Sequence, residues 1–217
     1  MHPEISQLPS RLFYQGRLLD GPDMDVKTKQ PWQSHPKFGC YRFFNISRGQ
    51  EEGTIHHSMK NVLEAQTAVA LYARLRKEFA AISFDFRVGI VSMYRGQVVE
   101  LQRAFERRFG EDIRGKIHFH TVDGFQGQEK DIIILSCVRA GPGVQSVGFL
   151  AGMVHGCRND GMTEIHLLDV RRMNVALTRA KSSLFILGNA PTLERSNVDW
   201  KEILTNARSR SLLTDVS

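Results

Sequence analysis

The run DIIILSCV, residues 131–138, constrains the fold more than any other stretch of this 217-residue chain. A strand with one wet face alternates apolar and polar side chains. A run that is apolar almost throughout must be covered on both faces, which is the situation of a central strand in a parallel sheet. Parallel neighbours need crossover connections, and the flanking sequence supplies them as helices. YRFFNIS reads as a strand. SMKNVLEAQTAVALYARLRKEFA reads as a helix, with Ala65, Ala68, Val69, Tyr72, Leu75 and Phe79 on one stripe. RVGIVSMY is a further strand. The helix GQVVELQRAFERRFG follows, with Val98, Leu101, Phe105 and Phe109 on one face and Gly110 as its stop. KIHFHTV precedes the central run. After it come a helix RRMNVALTRAK with Asp169 as candidate N-cap, a strand SSLFILGN and a closing helix DWKEILTNARSR with Trp200, Ile203 and Leu204 as apolar contacts. Alternating strands and helices predict a three-layer α/β domain with a mostly parallel central sheet.

Ligands of such sheets bind beyond the carboxyl ends of the strands. VSMY, HTVDGFQGQE and the polar residues of RRMNVALTRAK are each expected near such an end, converging on one edge. The loop TVDGFQGQEKD, residues 121–131, interrupts two strand patterns with two glycines and alternating charge, the composition of a ligand-touching loop. It is not a P-loop. That motif requires G-x-x-x-x-G-K and then a hydroxyl residue for Mg²⁺; GFQGQEKD departs from this spacing and has Asp131 at the hydroxyl position. No acidic pair after an apolar strand is present to hold Mg²⁺ either. A complete nucleotide-hydrolysing centre is therefore not expected in this chain.

Composition narrows the classes. Hydrophobic content of 41% with 13 Phe supports a packed core. No apolar run approaches the ~20 residues of a membrane helix, and MHPEISQLPSR lacks the features of a signal peptide, so an intracellular protein is expected. Cys40, Cys137 and Cys157 are odd in number and widely spaced, which argues against a disulfide framework or zinc ribbon. His56, His57, His118, His120 and His155 show no ligand spacing, so no metal site is expected. A formal charge of +6 fits a polyanionic partner such as nucleic acid, and equally a soluble surface rich in lysine and arginine.

Single residues leave two readings each. Arg179, beside Lys181 and seven residues after Arg172, is either a solvated helix charge or a guanidinium for phosphate oxygens. Tyr94, after the strand ending in Ser92, either stacks on a base or packs on the next helix. Thr121 either binds a backbone phosphate or caps the next turn.

The combination is more specific. HTVDGFQGQEKDIIILSCVRA, GFL and RRMNVALTRAKSSLFILGN, in this order, resemble motifs V and VI of superfamily 1 helicases, in the 5′→3′ branch of the nonsense-decay helicase and senataxin. VGIVSMYRGQ resembles motif IV, MHPEISQLPSRLFYQGRLLDG the stretch after motif IIIa, and YRFFNIS with NVLEAQTAVALY looks senataxin-like. The resemblance implies the second of two RecA-like domains, with ATP between them and Mg²⁺ held mainly by the first. Arg179 would be the arginine finger. Gln126, Gly127, Glu129 and Lys181 would line the nucleotide cleft. Ser92, Tyr94, Thr121 and Val122 would touch single-stranded RNA or DNA. The partner domain would be the first RecA-like domain of the same protein, and the location nuclear or cytoplasmic. Residues 1–38 read as an irregular lead-in with a short helical turn, and 39–217 as the RecA-like domain. Met1 matches the Met of the family's YRMHP, which suggests an expression fragment or a truncated gene model. Residues 151–169 add roughly fifteen residues beyond an ordinary short connection. They read as an exposed loop, a genuine insertion or an unspliced intron. The readings to be separated are thus a helicase motor domain, a non-catalytic nucleic-acid-binding remnant of one, and an unrelated nucleotide-binding α/β protein.

Overall fold

The computed structural model describes residues 1–141 and 170–216. The GFL segment, the insertion at 151–169 and the Asp169 cap lie outside the described residues. In chain order the elements are α1 (Pro3–Tyr14), α2 (Met24–Lys27), β1 (Tyr41–Asn45), β2 (Glu52–Gly53), β3 (Met59–Lys60), α3 (Val62–Glu78), β4 (Val88–Ser92), α4 (Arg95–Phe109), β5 (His118–Thr121) and β6 (Lys130–Ser136). Then follow α5 (170–177), β7 (Ala180–Gly188), α6 (Ala190–Ser196), α7 (Val198–Ser209) and β8 (Leu213–Asp215). Six strands form one sheet in the order β5-β4-β6-β7-β1-β8, and every pairing in it is parallel.

The central run behaves as its composition requires. Ile133 and Leu135 of β6 join Val91, Leu184 and Ile186 in a core closed by Ile5, Leu8, Met173, Leu177, Trp200 and Ile203. Ile132 and Ile134 point the other way, joining Ile90, Phe185 and Leu187 in a core closed by α3 and α4 through Tyr72, Leu75, Leu101 and Phe105. Successive strand side chains alternate faces, so only a strand with helices on both sides buries every one of them. Each such Ile or Leu contributes about 1.5–3 kcal/mol by leaving water. The result is three layers, with α1, α5 and α7 on one face and α3 and α4 on the other.

Local signals set the boundaries. Asn61 caps α3, its side chain accepting from Glu64 N–H, and Met59–Lys60 before it pair with Glu52–Gly53 as a small antiparallel hairpin instead of extending the helix. Gly110, at φ +86°, ends α4 as expected. Asn197 caps α7 by accepting from Trp200 N–H.

The lead-in is more ordered than its sequence predicts. α1 is a 12-residue helix whose Ile5 and Leu8 enter the core, docked on β7 and α7. Downstream, Trp32 is fully buried and donates from Nε1 to Ser183 Oγ at 2.9 Å, while Gln33 Nε2 donates to Ser182 O at 2.7 Å. α1, Trp32 and Gln33 thereby fasten the two ends of this lead-in to β7. Pro9 inside the helix and the Gly/Pro-rich stretch after it mask the pattern.

Candidate functional site

Three strands end side by side at the carboxyl edge of the sheet. Ser92 of β4 is in register with Thr121 of β5 and Ser136 of β6. Above them opens a groove of about 1110 Å³, with the β2–β3 hairpin and the start of α4 as walls. Tyr94, Thr121, Lys60, Arg95, Arg103 and Arg172 are among its lining residues. Lys60 is held by Glu52 at 3.4 Å and Glu100 at 3.5 Å, and Arg172 forks onto Asp123 at 2.9 and 2.8 Å. A concave surface with this many cations and an adjacent aromatic suits a phosphodiester chain.

Behind the groove lies a buried polar network. Glu64 is fully buried. Its carboxylate accepts from Ser136 Oγ at 2.5 Å and, through both oxygens, from Val138 N–H at 3.0 and 2.9 Å. Gln97 donates to Ser136 Oγ at 2.9 Å and to Asn61 O at 3.0 Å, and accepts from Asn61 N–H at 2.7 Å. Asn61 Nδ2 holds Val138 O at 3.1 Å. These bonds fix an unfavourable backbone. Val138 sits at φ +72°, and Arg139 N–H donates to Cys137 O at 2.8 Å. A β-branched residue in a γ-turn of this hand is strained, at about 1–3 kcal/mol, and persists only when its surroundings over-determine it. The turn directs Arg139 to Glu51, at 2.7 Å, and to within 3.5 Å of the Tyr94 hydroxyl. Burial pushes the Glu64 carboxyl up to about 7, against the opposing pull of its Ser136 and Val138 donors.

The loop that opens at Thr121 crosses the sheet. Thr121 stands at the carboxyl edge, yet Lys130, eight residues beyond Val122, begins β6 at the amino edge. Phe125 anchors the passage. It is fully buried against Gly89, where an added Cβ would lie 2.7 Å from the ring and 2.8 Å from Ile133 Cδ1. That clearance explains a glycine inside an otherwise apolar strand. Gly127 then turns the chain at φ +81°, a conformation that favours glycine. At the amino edge Lys130 N–H donates to Arg179 O at 3.1 Å. Arg179 is half-buried and folds back onto α5, Nε donating to Val175 O at 3.1 Å and Nη2 to Thr178 Oγ1 at 3.0 Å. Lys181, Glu129, Gln126 and Gly127 are exposed there.

The expected single convergence is thus divided. Tyr94 and Thr121 line the carboxyl-edge groove, whereas Glu129, Arg179 and Lys181 stand at the other edge, about 20 Å away along a seven-residue strand. The reason is topological: α5 delivers its C-terminus to the start of β7, not to a strand end. Ser92 and Val122 offer no exposed side chain. Ser92 is fully buried and donates to Ser136 O at 2.9 Å, and Val122 packs in the core at 1% exposure. Their contacts with an outside ligand would be limited to the backbone. Thr121 Oγ1 accepts from Gly124 N–H at 3.3 Å, so it caps the turn while still lining the groove. Tyr94 is only 8% exposed. Sequence reasoning did not find Asn61, Glu64, Gln97 or Arg139. The available signal was Glu64, a carboxylate on the same stripe as Ala68 and Tyr72.

Comparison with known proteins agrees with these motifs. A family model described as an AAA domain matches residues 1–191. Helicase SEN1 of Saccharomyces cerevisiae is 43% identical over 215 residues, 98% of this chain and 9% of its own length. Helicase sen1 of Schizosaccharomyces pombe is 41% identical over 98% of this chain and 11% of its own. The Mus musculus protein described as "Probable helicase senataxin" is 32% identical over all of this chain and 7% of its own. The chain therefore spans about a tenth of the length of these relatives. With motifs IV, V and VI in place on an all-parallel α/β sheet, and the family model covering most of its length, the chain belongs to this AAA domain family, as a C-terminal RecA-like domain of the senataxin-like superfamily 1 helicases.

Proposed function

We propose that this chain is the second motor domain of an ATP-dependent RNA/DNA helicase, converting nucleotide contacts at one sheet edge into nucleic-acid contacts at the other. The observation that carries the reading is the course of residues 121–130, from the groove at the carboxyl edge to Arg179 at the amino edge, with Phe125 locked on the sheet between. A displacement at either end is transmitted through this buried anchor to the other.

In this reading Arg179 is the arginine finger, leaving its bonds to Val175 and Thr178 for the terminal phosphate when the two domains close. Gln126, Gly127, Glu129 and Lys181 flank the nucleotide. The first RecA-like domain supplies the phosphate-binding loop and most of the Mg²⁺ coordination. Single-stranded RNA or DNA occupies the groove, against Thr121, Tyr94 and the cations of α4, with Ser92 and Val122 contributing backbone. A nuclear location belongs to the same reading. The non-catalytic alternative differs in one respect, that nucleotide turnover plays no part.

The test is Arg179→Ala in the complete helicase. ATP turnover stimulated by nucleic acid should fall at least about a thousandfold, the range of an arginine finger. Oligonucleotide affinity and melting temperature should hold. Retained turnover would overturn the reading.

A further inference from the structure

A cluster of potential metal ligands lies away from motifs IV, V and VI, beside the N-terminus of α1. His2, Glu4 and Cys40 bring an imidazole nitrogen, a carboxylate oxygen and a thiol sulfur within 4.8 Å of one another. We propose that these three residues bind a single divalent transition-metal ion of the zinc class.

The geometry fits such an ion. Cys40 Sγ stands 3.5 Å from His2 Nε2. A tetrahedral ion with metal–sulfur and metal–nitrogen bonds of about 2.3 and 2.0 Å separates those ligands by about 3.5 Å. The two atoms already span one edge of the tetrahedron. Glu4, in the first turn of α1 and exposed, offers the third ligand atom within 4.8 Å of the other two. Its Oε2 accepts from Arg210 Nη2 at 2.8 Å, and its backbone carbonyl from Arg210 Nη1 at 3.3 Å. Arg210 thus orients the carboxylate as outer residues commonly orient metal ligands, leaving Oε1 for the ion. The thiolate and carboxylate charges match a divalent ion, and the fourth position is open to water.

The chemistry agrees. Thiolate with imidazole and carboxylate selects a borderline ion over Mg²⁺ or Ca²⁺. Burial holds His2 below the ordinary imidazole value, which favours the unprotonated ring a metal requires. Burial, reinforced by the Glu4 charge, pushes the Cys40 thiol up to about 12, so without a cation the sulfur keeps its proton. On binding, the thiol proton passes to solvent, a sulfur–metal bond forms and a metal-bound water leaves. The ring proton moves to Nδ1, at the expense of the contact in which Glu4 N–H donates to Nδ1 at 3.2 Å. Affinity then rises with pH. The charged groups acting on the pair are Glu4, Asp20, Asp25, Arg210 and the chain's amino terminus.

Such an ion would clip the start of α1 to the residue before β1, closing a 38-residue separation. His2 N–H donates to Lys181 O at 2.8 Å, so the clip also steadies the amino edge of β7. Closing a long loop restricts the unfolded chain and stabilises the fold.

The experiment titrates Co²⁺ into the chain carrying a few residues before Met1, so that no free terminal amine competes, and then displaces it with Zn²⁺. One equivalent should give a thiolate-to-cobalt charge-transfer band, and Zn²⁺ should bleach it and raise the unfolding midpoint. Cys40→Ser should abolish the band. His2→Ala and Glu4→Gln should each weaken binding at least about tenfold, the lower end of losses seen at metal sites. Cys137→Ser and Cys157→Ser should leave the band intact. Absence of the band in the folded wild-type chain, its survival in Cys40→Ser, or its loss only in Cys137→Ser or Cys157→Ser would overturn the proposal. Should Cys40→Ser unfold, as judged by its circular dichroism, the His2 and Glu4 variants decide the matter: unchanged affinity in both refutes the site.

Discussion

Glu64→Gln isolates the buried carboxylate that holds the Val138 turn, and its effect should depend on pH. Burial raises the Glu64 carboxyl to about 7 in the folded chain, from an ordinary value of 4.5. Between those values the folded state binds more proton than the unfolded state. The Glu64 contribution to stability is therefore at its best below pH 4.5, declines through the window and is fully lost above pH 7. The difference between the two values corresponds to about 3 kcal/mol. Glutamine removes this slope. It keeps an acceptor for Val138 N–H, but its amide group donates to Ser136 Oγ, which Gln97 already serves. The Ser136 hydroxyl then loses its acceptor, a cost of about 1–3 kcal/mol at every pH. Urea unfolding of wild type and Glu64→Gln from pH 4 to 8 measures the outcome. The variant should be the less stable protein at pH 4 and should gain on wild type by about 3 kcal/mol at pH 8. A constant difference across the range would refute the reasoning. It would mean that the donors from Ser136 and Val138 outweigh burial and keep the carboxylate ionised throughout.

Four further outcomes follow from the geometry. Gly89→Ala places a methyl group 2.7 Å from the Phe125 ring, which should lower stability by about 1–3 kcal/mol in thermal melts. Gly127→Ala meets no atom within 4 Å and is opposed only by its φ of +81°, so its melting temperature should fall less. Asp123→Asn releases Arg172 from its bidentate partner and removes a negative charge from the groove. Fluorescence anisotropy with a labelled oligonucleotide should show tighter binding and a steeper salt dependence than wild type, whereas Arg103→Ala should weaken binding and reduce that slope by about 1.

The layered sheet was legible because its strongest signal is intrinsic to one segment. A strand buried on both faces must be apolar at successive positions, and 132–135 and 184–187 both meet that condition. The stripe on α3 is local in the same sense. What stayed hidden depends on contacts far apart in sequence. Trp32 finds Ser183 across 151 residues, and Glu64 finds Ser136 across 72. Periodicity names neither partner: the α3 stripe turns Glu64 toward the core, but only β6 placed beside it shows that Ser136 meets it. The hairpin over the groove is invisible for a different reason: two-residue strands are too short to show alternation.

The division of the site between two edges is the clearest case. Ser92, Thr121, Arg179 and Lys181 all sit where a strand meets a polar segment, and from sequence a strand's start and its end look alike. Direction decides placement here. Tyr94 just past β4 and Thr121 at the end of β5 open on the groove, while Arg179 precedes β7 and Glu129 precedes β6, so both belong to the opposite edge. An eight-residue connection whose one helical turn is the 3₁₀ turn Asp123–Phe125 joins the edges, and Phe125, sealed against Gly89, gives it a fixed point. If that fixed point transmits motion, loosening it must uncouple the edges before it unfolds the chain. Phe125→Leu keeps an apolar plug but loses the ring's fit. In the complete helicase it should leave oligonucleotide affinity and basal ATP turnover near wild type while reducing the stimulation of turnover by nucleic acid. Stimulation equal to wild type, in a variant shown by melting to have loosened the anchor, would mean the loop only connects two strands.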